Sequence, residues 1–543
     1  MDRSVLITGS GAAGLALACE LAAAGIRCTV IEREPGPPPP SPSVLLDGRT
    51  LEDLGLRGHA GPLLEQARPV TRVRVGSRSP VLELTGLGSR HPGLYALPRQ
   101  LLEQLLEQRA VALGARIRRG LRVQGLTQDA HGVRLLVRAE DAPPGAAAEV
   151  LTAGYAVGGD TGPSCLRDLA GIPFTGRGAP FAPVLADVRL RQPPPDELLL
   201  LPGRGGTLTT VPVGEGWYRI ALAPATDSRT ELPLSEPLPT DAELARVLEA
   251  RLGFDPGVAG IRALTRPRGI QGQAARYRSG RVLLLGEAAH RLSPLTGAEL
   301  NLGLQDAVNL GWKLAAVQNG WSPPELLDSY QAERRPLAVR ALRRAERAAR
   351  QLGGGSVAAA LRRAVLDGLL GAAPLRQAAA SGLAGRAARY PAGSGHASRL
   401  PLHAGQRLPQ LPVRMRQGPP LRAPELLDDG RFLLLDFGHQ GIAATAAERG
   451  WGDRVRAVSA IGPLEGYVSI STLLVRPDGY LAWADDSYEP PARISRAEEA
   501  LTRWCGPPQA PARTPAAVPD QAGDQAGDQA GDQPGSASDR KRE

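Results

Sequence analysis

Six residues near the start of the chain, Gly9-Ser10-Gly11-Ala12-Ala13-Gly14, have the spacing of a dinucleotide-binding turn. In that role Gly9 permits the tight turn, Gly11 lets the backbone approach a pyrophosphate, and Gly14 lets the following helix pack closely on its strand. The N–H groups at the start of the helix would then face the phosphates. The glycine spacing alone is a weak signal, because a tight turn in any α/β protein can use glycine in this way.

A carboxylate at the expected distance strengthens this interpretation. Glu32 ends a second apolar stretch, residues 28–32, and lies 18 residues after Gly14, where its oxygens can accept hydrogen bonds from a ribose. With a strand pattern at 3–8 and a helix pattern at 15–24, the unit is a complete βαβ opening. For Glu32 taken alone, a solvated strand end is the alternative. The residues expected to contact the dinucleotide are Gly9, Gly11, Ala12, Ala13, Gly14, Glu32 and Arg33.

The rest of the chain shows patterns of loops, helices and strands around this unit. Residues 35–43 are rich in proline, which lacks an N–H group and fixes φ, so they form a loop. After Cys505 the chain is poor in apolar residues and repeats AGDQ, which predicts disorder. The other expected elements are a helix at 98–114, antiparallel strands at 115–137, alternating strands between about 175 and 270, and a helix from about 299 to 319. Residues 155–160 and 281–290 are each expected to be a strand that runs into a loop. Helices are expected between 325 and 390, and strands at 431–438, 454–461 and 471–484.

Length and composition predict a multidomain protein with the proportions of hydrophobic and charged residues that are ordinary for soluble proteins. The chain has 543 residues, which is too many for one compact core. Hydrophobic residues make up 42% and charged residues 22%. No apolar run reaches the ~18 residues of a membrane span, and no signal-peptide pattern precedes the first strand. We therefore expect a cytoplasmic protein without a membrane partner.

Charge and cysteine usage exclude several other classes. The net charge is +9, but the arginines are spread along the chain and no aromatic-rich basic block accompanies them. We attribute this excess to codon bias rather than to a nucleic-acid partner, although a basic surface would attract anionic cofactors. The four cysteines are scattered without a CxxC pair, which predicts a reducing compartment and neither a metal site nor a disulfide framework.

Two later segments carry a resemblance to a known family. GRVLLLGEAAHRLSPLTGAELNLGLQDAVNLGWKLA (280–315) resembles the second flavin-contacting motif of the class A FAD monooxygenases, which have the p-hydroxybenzoate hydroxylase fold. YAVGGDTGPSCLRDLAGIPFTG (155–176) resembles the middle motif of the same family. The likeness covers most of residues 1–345 and is greatest for bacterial hydroxylases that tailor aromatic polyketides. Shorter segments that also fit are 49–56, 97–110 and 329–336.

The resemblance implies an α/β fold with several domains. We expect a Rossmann-like FAD domain with an inserted antiparallel β-sheet substrate domain, a helical segment and a C-terminal thioredoxin-like α/β domain, to which STLLVRPDGYLAWA (471–484) is similar. The expected boundaries are 1–174 and 271–345 for the two parts of the FAD domain, 175–270 for the substrate sheet, 346–395 for the helical segment, 396–506 for the thioredoxin-like domain and 507–543 for a disordered tail.

The resemblance also assigns residues to the cofactor. Glu287 stands where the family has an aspartate that binds the ribityl chain, Asp160 is the acid of the middle motif, and Arg99 falls near the FAD phosphates, which suits a charge-assisted contact. The backbone of 294–301 is expected beside the isoalloxazine ring, with the N–H groups of the following helix facing the flavin N1/C2 carbonyl side. The residues concerned are Pro294, Gly297, Ala298, Glu299, Leu300 and Asn301.

Neighbouring polar residues have structural interpretations. We interpret His290 as a turn residue rather than a catalytic base, and Arg334-Arg335 as a helix-end cluster paired with local acids. Asn301 and Asp306 are also candidates for capping or solvating a helix. No obligatory side-chain nucleophile is expected, because the cofactor performs the hard chemistry, and the sequence assigns no catalytic residue.

The flavin end departs from the family pattern. Asp160 is followed by Thr161 where the family has glycine, and Glu287 is one methylene longer than the usual aspartate. The family's Gly-Gly-Gln-Gly stretch reads Thr296-Gly297-Ala298-Glu299. Glu299 would either place a negative charge near a reduced flavin or point away and favour the helix dipole. The sequence leaves both orientations open.

Two functions follow. The first is an FAD- and NAD(P)H-dependent monooxygenase that acts through a C4a-hydroperoxyflavin on an aromatic substrate, in the polyketide class by resemblance, with O2 as co-substrate. Hydroxylation is favoured, while Baeyer–Villiger insertion or epoxidation would use the same intermediate. The alternative is a flavoprotein relative that has lost oxygenase activity and acts as a partner or chaperone in a biosynthetic complex. A homodimer is an arrangement that the sequence leaves open.

Overall fold

The computed structural model describes most of the chain. The described residues are 2–76, 80–143, 147–160, 164–178, 183–195, 197–203, 206–223, 238–267, 270–292, 297–352, 357–386, 388–391, 400–415, 419–438, 440–462 and 464–509. Apart from residues 507–509, the predicted tail lies outside them. The α-helices of these ranges, in chain order, are α1 (Ala12–Ala23), α2 (Gly48–Gly55), α3 (Ala60–Gln66), α4 (Arg99–Ala112), α5 (Cys165–Leu169), α6 (Asp241–Leu252), α7 (Ala298–Gln318), α8 (Asp328–Leu352), α9 (Val357–Gly371), α10 (Ala373–Leu383), α11 (Ile442–Trp451) and α12 (Pro490–Cys505).

The strands fall into three groups along the chain. The first group is β1 (Val5–Thr8), β2 (Cys28–Ile31), β3 (Val44–Asp47), β4 (Arg68–Val70), β5 (Arg72–Val75), β6 (Val81–Glu83), β7 (Leu94–Leu97), β8 (Arg116–Arg118), β9 (Leu121–Gln128), β10 (Val133–Ala139), β11 (Glu149–Ala153) and β12 (Tyr155–Gly158). The second is β13 (Phe174–Gly178), β14 (Val184–Leu190), β15 (Leu198–Gly203), β16 (Gly206–Gly214), β17 (Trp217–Ala223), β18 (Val258–Thr265), β19 (Ile270–Ala274), β20 (Arg278–Ser279), β21 (Val282–Leu284) and β22 (His290–Arg291). The third is β23 (Pro412–Val413), β24 (Leu421–Arg422), β25 (Phe432–Asp436), β26 (Val455–Ser459), β27 (Thr472–Val475) and β28 (Leu481–Asp485).

A six-stranded sheet in the order β20-β21-β12-β1-β2-β8 organises the first domain. All of its strands except the edge strand β20 run parallel. β1 and β12 are buried at every residue, as expected for strands covered on both faces. Because α1 begins soon after β1, the predicted glycine turn and the residues that follow β12 meet at the carboxyl edge of the sheet. This edge is where ligands bind in such folds.

A seven-stranded sheet in the order β18-β14-β17-β16-β15-β5-β6 faces that edge. Its central strands are antiparallel, as the alternating pattern predicts. β5 and β6 come from residues 72–83, ahead of the range 175–270, and β5 joins β15 in parallel. On one face Leu244 and Leu248 of α6 pack against apolar strand residues such as Val188.

The C-terminal unit contains a four-stranded sheet in the order β26-β25-β27-β28. β25 is parallel to β26 and antiparallel to β27, and α11 and α12 share an apolar core with the sheet. The predicted α/β fold class is confirmed. The helices predicted at 98–114 and from about 299 to 319 are α4 and α7.

Buried ion pairs join the C-terminal unit to the first domain. The guanidinium of Arg476, before β28, lies 2.7 and 2.9 Å from the two carboxylate oxygens of Glu333 on α8. The same carboxylate accepts a hydrogen bond from Lys313 Nζ on α7 at 2.8 Å. These three side chains are almost completely buried, so through them the C-terminal unit helps to fix the position of α7.

Among the residues that the structure describes, no helix combines the length and the apolar character needed to cross a bilayer.

Candidate cofactor and substrate site

The glycine turn between β1 and α1 is closely packed on the end of β12. Gly9 has φ of +91°, and a Cβ there would lie 2.8 Å from Asp160 Cα. A Cβ on Gly14 would lie 2.2 Å from the carbonyl oxygen of Gly9. No side chain caps the first turn of α1, whose N-cap is Gly11. Gly11, Ala12 and Ala13 line a cleft, into which the first turn can direct N–H groups that lack helical partners.

Glu32 lies beside this turn as predicted. Its carboxylate accepts hydrogen bonds from Ser10 N at 2.7 Å, Ser10 Oγ at 2.8 Å and Glu34 N at 2.9 Å. Burial acts to raise the pKa of Glu32, but the hydrogen bonds from Glu34 and Ser10 outweigh it, and the pKa is lowered. Glu32 is therefore an ionised acceptor at the end of β2. The side chain of Arg33 is exposed and lies 3.2 Å from Glu34.

Asp160, the acid of the middle motif, ends the segment that follows β12. Its carboxylate accepts a hydrogen bond from Ser164 Oγ at 2.9 Å. Burial is the largest cause that raises its pKa. Thr161 lies outside the described residues, so its effect on this turn stays a sequence interpretation.

The cleft continues from the glycine turn towards the seven-stranded sheet. Arg99, at the start of α4, lines it and donates to Glu103 Oε1 at 2.8 Å. Burial acts to lower the pKa of Arg99, but Glu103, Glu287 and Glu299 outweigh it and raise the pKa. The described residues that line the cleft are Gly11, Ala12, Ala13, Ser41, Pro42, Ser43, Val44, Arg99, Gly159, Pro183, Leu185, Arg219, Thr265, Pro267, Gln271, Gly286, Glu287, Arg291, Leu292, Gly297, Glu299, Leu300 and Gly303.

Two carboxylates face the same part of the cleft. Glu287 lies in a short 3-10 turn that follows β21, and Glu299 lies in the first turn of α7. Glu299 Oε1 accepts a hydrogen bond from Leu292 N at 3.1 Å. Burial and the charge of Glu287 raise the pKa of Glu299 well above its usual value. Of the two orientations that the sequence leaves open, the structure has the one in which Glu299 faces the cleft.

The start of α7 is held in place by Asn301. Its amide donates to Leu45 O at 2.8 Å and to Gly297 O at 3.0 Å, and its oxygen accepts from Asp47 N at 2.9 Å. Gly297 has φ of +70°, and a Cβ there would lie 3.2 Å from Leu45 Cβ. The Asn301 side chain thus joins α7 to β3, while Leu300 lines the cleft. Pro294 and Thr296 lie outside the described residues.

A buried cluster of charged side chains joins α7 to β22 and α8. Asp306 lies 2.6 Å from His290 Nε2 and 2.6 Å from Arg334 Nε, and all three side chains are almost completely buried. Gly286 N donates to Asp306 at 3.3 Å. His290 therefore has a structural contact, as the sequence interpretation favoured. Arg334 lies inside α8 in the core rather than in a helix-end cluster, because it pairs with an acid on the neighbouring helix.

Two family models match the chain, one described as FAD binding domain over residues 2–345 and one described as aromatic-ring hydroxylase, C-terminal, over residues 402–508. The chain belongs to the class A FAD-dependent monooxygenases. It is 36% identical to the 12-dehydrotetracycline 5-monooxygenase/anhydrotetracycline 6-monooxygenase of Streptomyces rimosus, over 94% of this chain and 100% of that protein. The predicted family, enzyme class and FAD cofactor are confirmed.

Two further relatives are informative, one for its solved fold and one for the different activity in its name. The solved anhydrotetracycline hydroxylase of Streptomyces rimosus superposes with a TM-score of 0.79 at 34% identity, over 94% of this chain and 100% of that one. The dialkyldecalin synthase of Streptomyces rugosporus is 31% identical over 93% of this chain and 100% of its own length. One relative thus has the name of a synthase rather than of an oxygenase.

The residues of this monooxygenase fit an FAD. Gly9 and Gly14 stand where a Cβ would collide with backbone atoms of the turn and of the segment after β12, so this packing requires glycine at both positions. Cα of Gly286 lies 3.2 Å from the position of a Cβ on Gly303, so α7 also packs closely against the 3-10 turn. The predicted residues Gly11, Ala12, Ala13, Arg99, Glu287, Gly297, Glu299 and Leu300 line one cleft.

Several residues of the cleft are not apparent from sequence alone. Ser43, at the end of the proline-rich loop, donates to Asp187 Oδ2 on β14 at 2.6 Å, which fixes the loop to the seven-stranded sheet. Arg219 on β17 lines the cleft, and burial lowers its pKa to about 10. Arg119 donates to Ser10 Oγ at 3.4 Å, beside Glu32. For Arg219, the strand pattern of β17 predicts a buried face, but it does not predict which ligand contacts that face.

Proposed function

We propose that this monooxygenase uses FAD, NADPH or NADH, and O2 to hydroxylate an aromatic small molecule of the polyketide class. The observation that carries the proposal is the cleft that runs from the glycine turn to the seven-stranded sheet. A single opening of this kind brings a dinucleotide and a substrate side by side. The names of the tetracycline-modifying relatives support the substrate class.

We propose that the ends of the cofactor are held by different residues. Gly11, Ala12 and Ala13 would bind the pyrophosphate through N–H groups, with Arg99 adding positive charge. Glu32 would accept from the adenosine ribose, and Glu287 from the ribityl chain. The start of α7 would lie beside the flavin ring. Bound FAD supplies the redox chemistry, which is hydride acceptance from NAD(P)H and activation of O2.

The sheet side of the cleft is suited to an aromatic substrate. Val44, Leu185 and Leu292 give it apolar walls, and Arg219 and Gln271 add polar groups that can orient oxygen substituents. We propose that these walls exclude water around the reacting carbon. We also propose a cytoplasmic location, in line with four free thiols. The oligomeric state can be measured by light scattering, and a homodimer is one outcome.

One experiment tests this function. The purified full chain is examined by visible absorption, and NADPH oxidation and O2 uptake are measured with and without a polycyclic phenol. We expect a yellow protein whose NADPH oxidation accelerates with the phenol and yields a hydroxylated product. A colourless protein that FAD does not reconstitute would contradict the proposal.

A second function is favoured by the relative named dialkyldecalin synthase and by the departure of residues 296–299 from the family's glycine-rich sequence. In this alternative the protein binds FAD but acts as a partner or a non-oxidative catalyst in a biosynthetic complex. Bound FAD together with no substrate-dependent NADPH oxidation or O2 uptake would support it. Uptake of O2 that matches product formation would exclude it.

A further inference from the structure

Glu299 occupies an unusual position for an ionisable side chain. It lies in the first turn of α7, which begins after Gly297, and its side chain lines the cleft. The hydrogen bond from Leu292 N, at 3.1 Å, holds one carboxylate oxygen on the cleft side. Asn301 fixes the backbone of this turn to Leu45 and Asp47, so the side chain cannot leave the cleft by a simple movement of the helix start.

The groups that face Glu299 come from three other elements. Glu287 on the 3-10 turn contributes a like charge, while Arg291 on β22 and Arg99 on α4 contribute opposite charges. Arg99 is already paired with Glu103 at 2.8 Å. Burial and the repulsion from Glu287 together exceed the attraction of the two arginines and the one hydrogen bond, so the pKa of Glu299 is raised well above its usual value.

We propose that Glu299 is a proton-holding residue of the FAD cleft: its neutral carboxylic acid favours cofactor binding, and its ionisation opposes it. The inference rests on the proposed function and extends it to the pH dependence of cofactor binding. The neutral acid can accept the bond from Leu292 N with one oxygen and donate its own O–H to the cofactor with the other. The ionised form would instead add a second negative charge beside Glu287 and an anionic cofactor.

The direction of the pH effect follows from the raised pKa. Below the usual range of a glutamate the side chain is neutral in the folded and the unfolded chain, and its contribution to folding is fully present. As the pH rises through the higher pKa of the folded state, this contribution is lost. FAD binding should weaken as the pH rises above this folded-state pKa, because bound FAD disfavours the ionised form and raises the pKa further.

The test is the Kd for FAD, measured by flavin fluorescence on the full chain from about pH 6 to about pH 9. The variants are Glu299→Gln, which keeps the shape and the acceptor for Leu292 N, and Glu498→Gln, an exposed glutamate on α12 that provides the same change in charge. In the wild type and in Glu498→Gln we expect Kd to rise about tenfold or more towards high pH, since each unit of pKa separation corresponds to a factor of ten. In Glu299→Gln we expect a flat profile and tighter binding at the alkaline end.

A second measurement does not involve FAD. The thermal midpoint of the FAD-free chain should fall less between neutral and alkaline pH in Glu299→Gln than in the wild type or in Glu498→Gln. Parallel profiles of Kd and of thermal midpoint in all three proteins would overturn the inference while leaving the monooxygenase intact. Failure of every protein to bind FAD would overturn the proposed function and, with it, the inference.

Discussion

A glutamate lies near each end of the proposed cofactor site, and the two carboxylates are held in opposite ways. Glu32 receives three hydrogen bonds from Ser10 and Glu34, and its pKa is lowered. Glu299 receives one hydrogen bond and faces Glu287, and its pKa is raised. The same residue type is therefore an ionised acceptor at one end and a proton-holding residue at the other, because the local donors and charges decide its protonation state.

The ends also differ in what supports them. The dinucleotide end consists of a βαβ unit that is contiguous in sequence, with backbone contacts made by Gly9 and Gly14. The flavin end depends on α7, which is fixed by β3, by α8 and by the C-terminal unit through Arg476 and Glu333. Variants that act on one end only test this difference.

The largest expected effect is on stability, at the support of the flavin end. Arg476→Leu leaves Glu333 and Asp478 buried without this partner, and removal of one member of a buried ion pair costs ~3–5 kcal/mol. Urea unfolding of the full chain measures the loss. Arg456→Leu, in the same unit but at a partly exposed pair with Asp428, should cost less than ~1 kcal/mol. Equal losses in the two variants would contradict a special role for the buried pair.

The next effect concerns the dinucleotide end. In Gly14→Ala the new Cβ would lie 2.2 Å from the carbonyl oxygen of Gly9, so the turn must shift. Overpacking of this kind costs ~1–3 kcal/mol, which corresponds to roughly 5- to 150-fold weaker FAD binding if the turn bears the strain. Gly61→Ala in α3 is the control, since a Cβ there meets nothing within 4 Å. An unchanged Kd for FAD in Gly14→Ala would place the pyrophosphate elsewhere.

A smaller effect is expected from Glu32→Gln. The neutral amide should weaken FAD binding about tenfold, because hydrogen bonds to charged groups contribute roughly 1.5–3 kcal/mol and only part of that is lost. Since the pKa of Glu32 is lowered, its contribution is present above the ordinary range of a glutamate and is lost only as the pH falls through the lowered value. The difference between wild type and variant should therefore stay constant from neutral to alkaline pH. A difference that disappears at alkaline pH would mean that Glu32 behaves like Glu299.

The sequence predicts the βαβ unit of the first domain well because its signals are local. The glycine spacing, the apolar strands and Glu32 lie within about thirty residues, and the structure places them at one sheet edge. The strand β5 is different, since its pairing with β15 joins residues more than a hundred positions apart and depends on no local pattern. The same holds for Asn301, whose partners Leu45 and Asp47 are distant in sequence, so its interpretation as a helix cap misses these contacts.

The orientation of Glu299 is a further example of this limit. At the first turn of a helix a glutamate favours the dipole whichever way it points, so the residue type does not choose a side. The choice comes from Leu292 N, which belongs to the segment before α7 and offers a donor inside the cleft. Only the tertiary arrangement supplies that donor.

A crystal structure of the full chain with FAD tests the proposed positions of the two ends of the cofactor most directly. We predict electron density for the pyrophosphate against the N–H groups of residues 11–13 and for the flavin ring beside residues 297–300, with the Glu299 side chain facing the cofactor. A ring located away from the start of α7, or a Glu299 side chain turned to solvent, would contradict the assignment of the two ends.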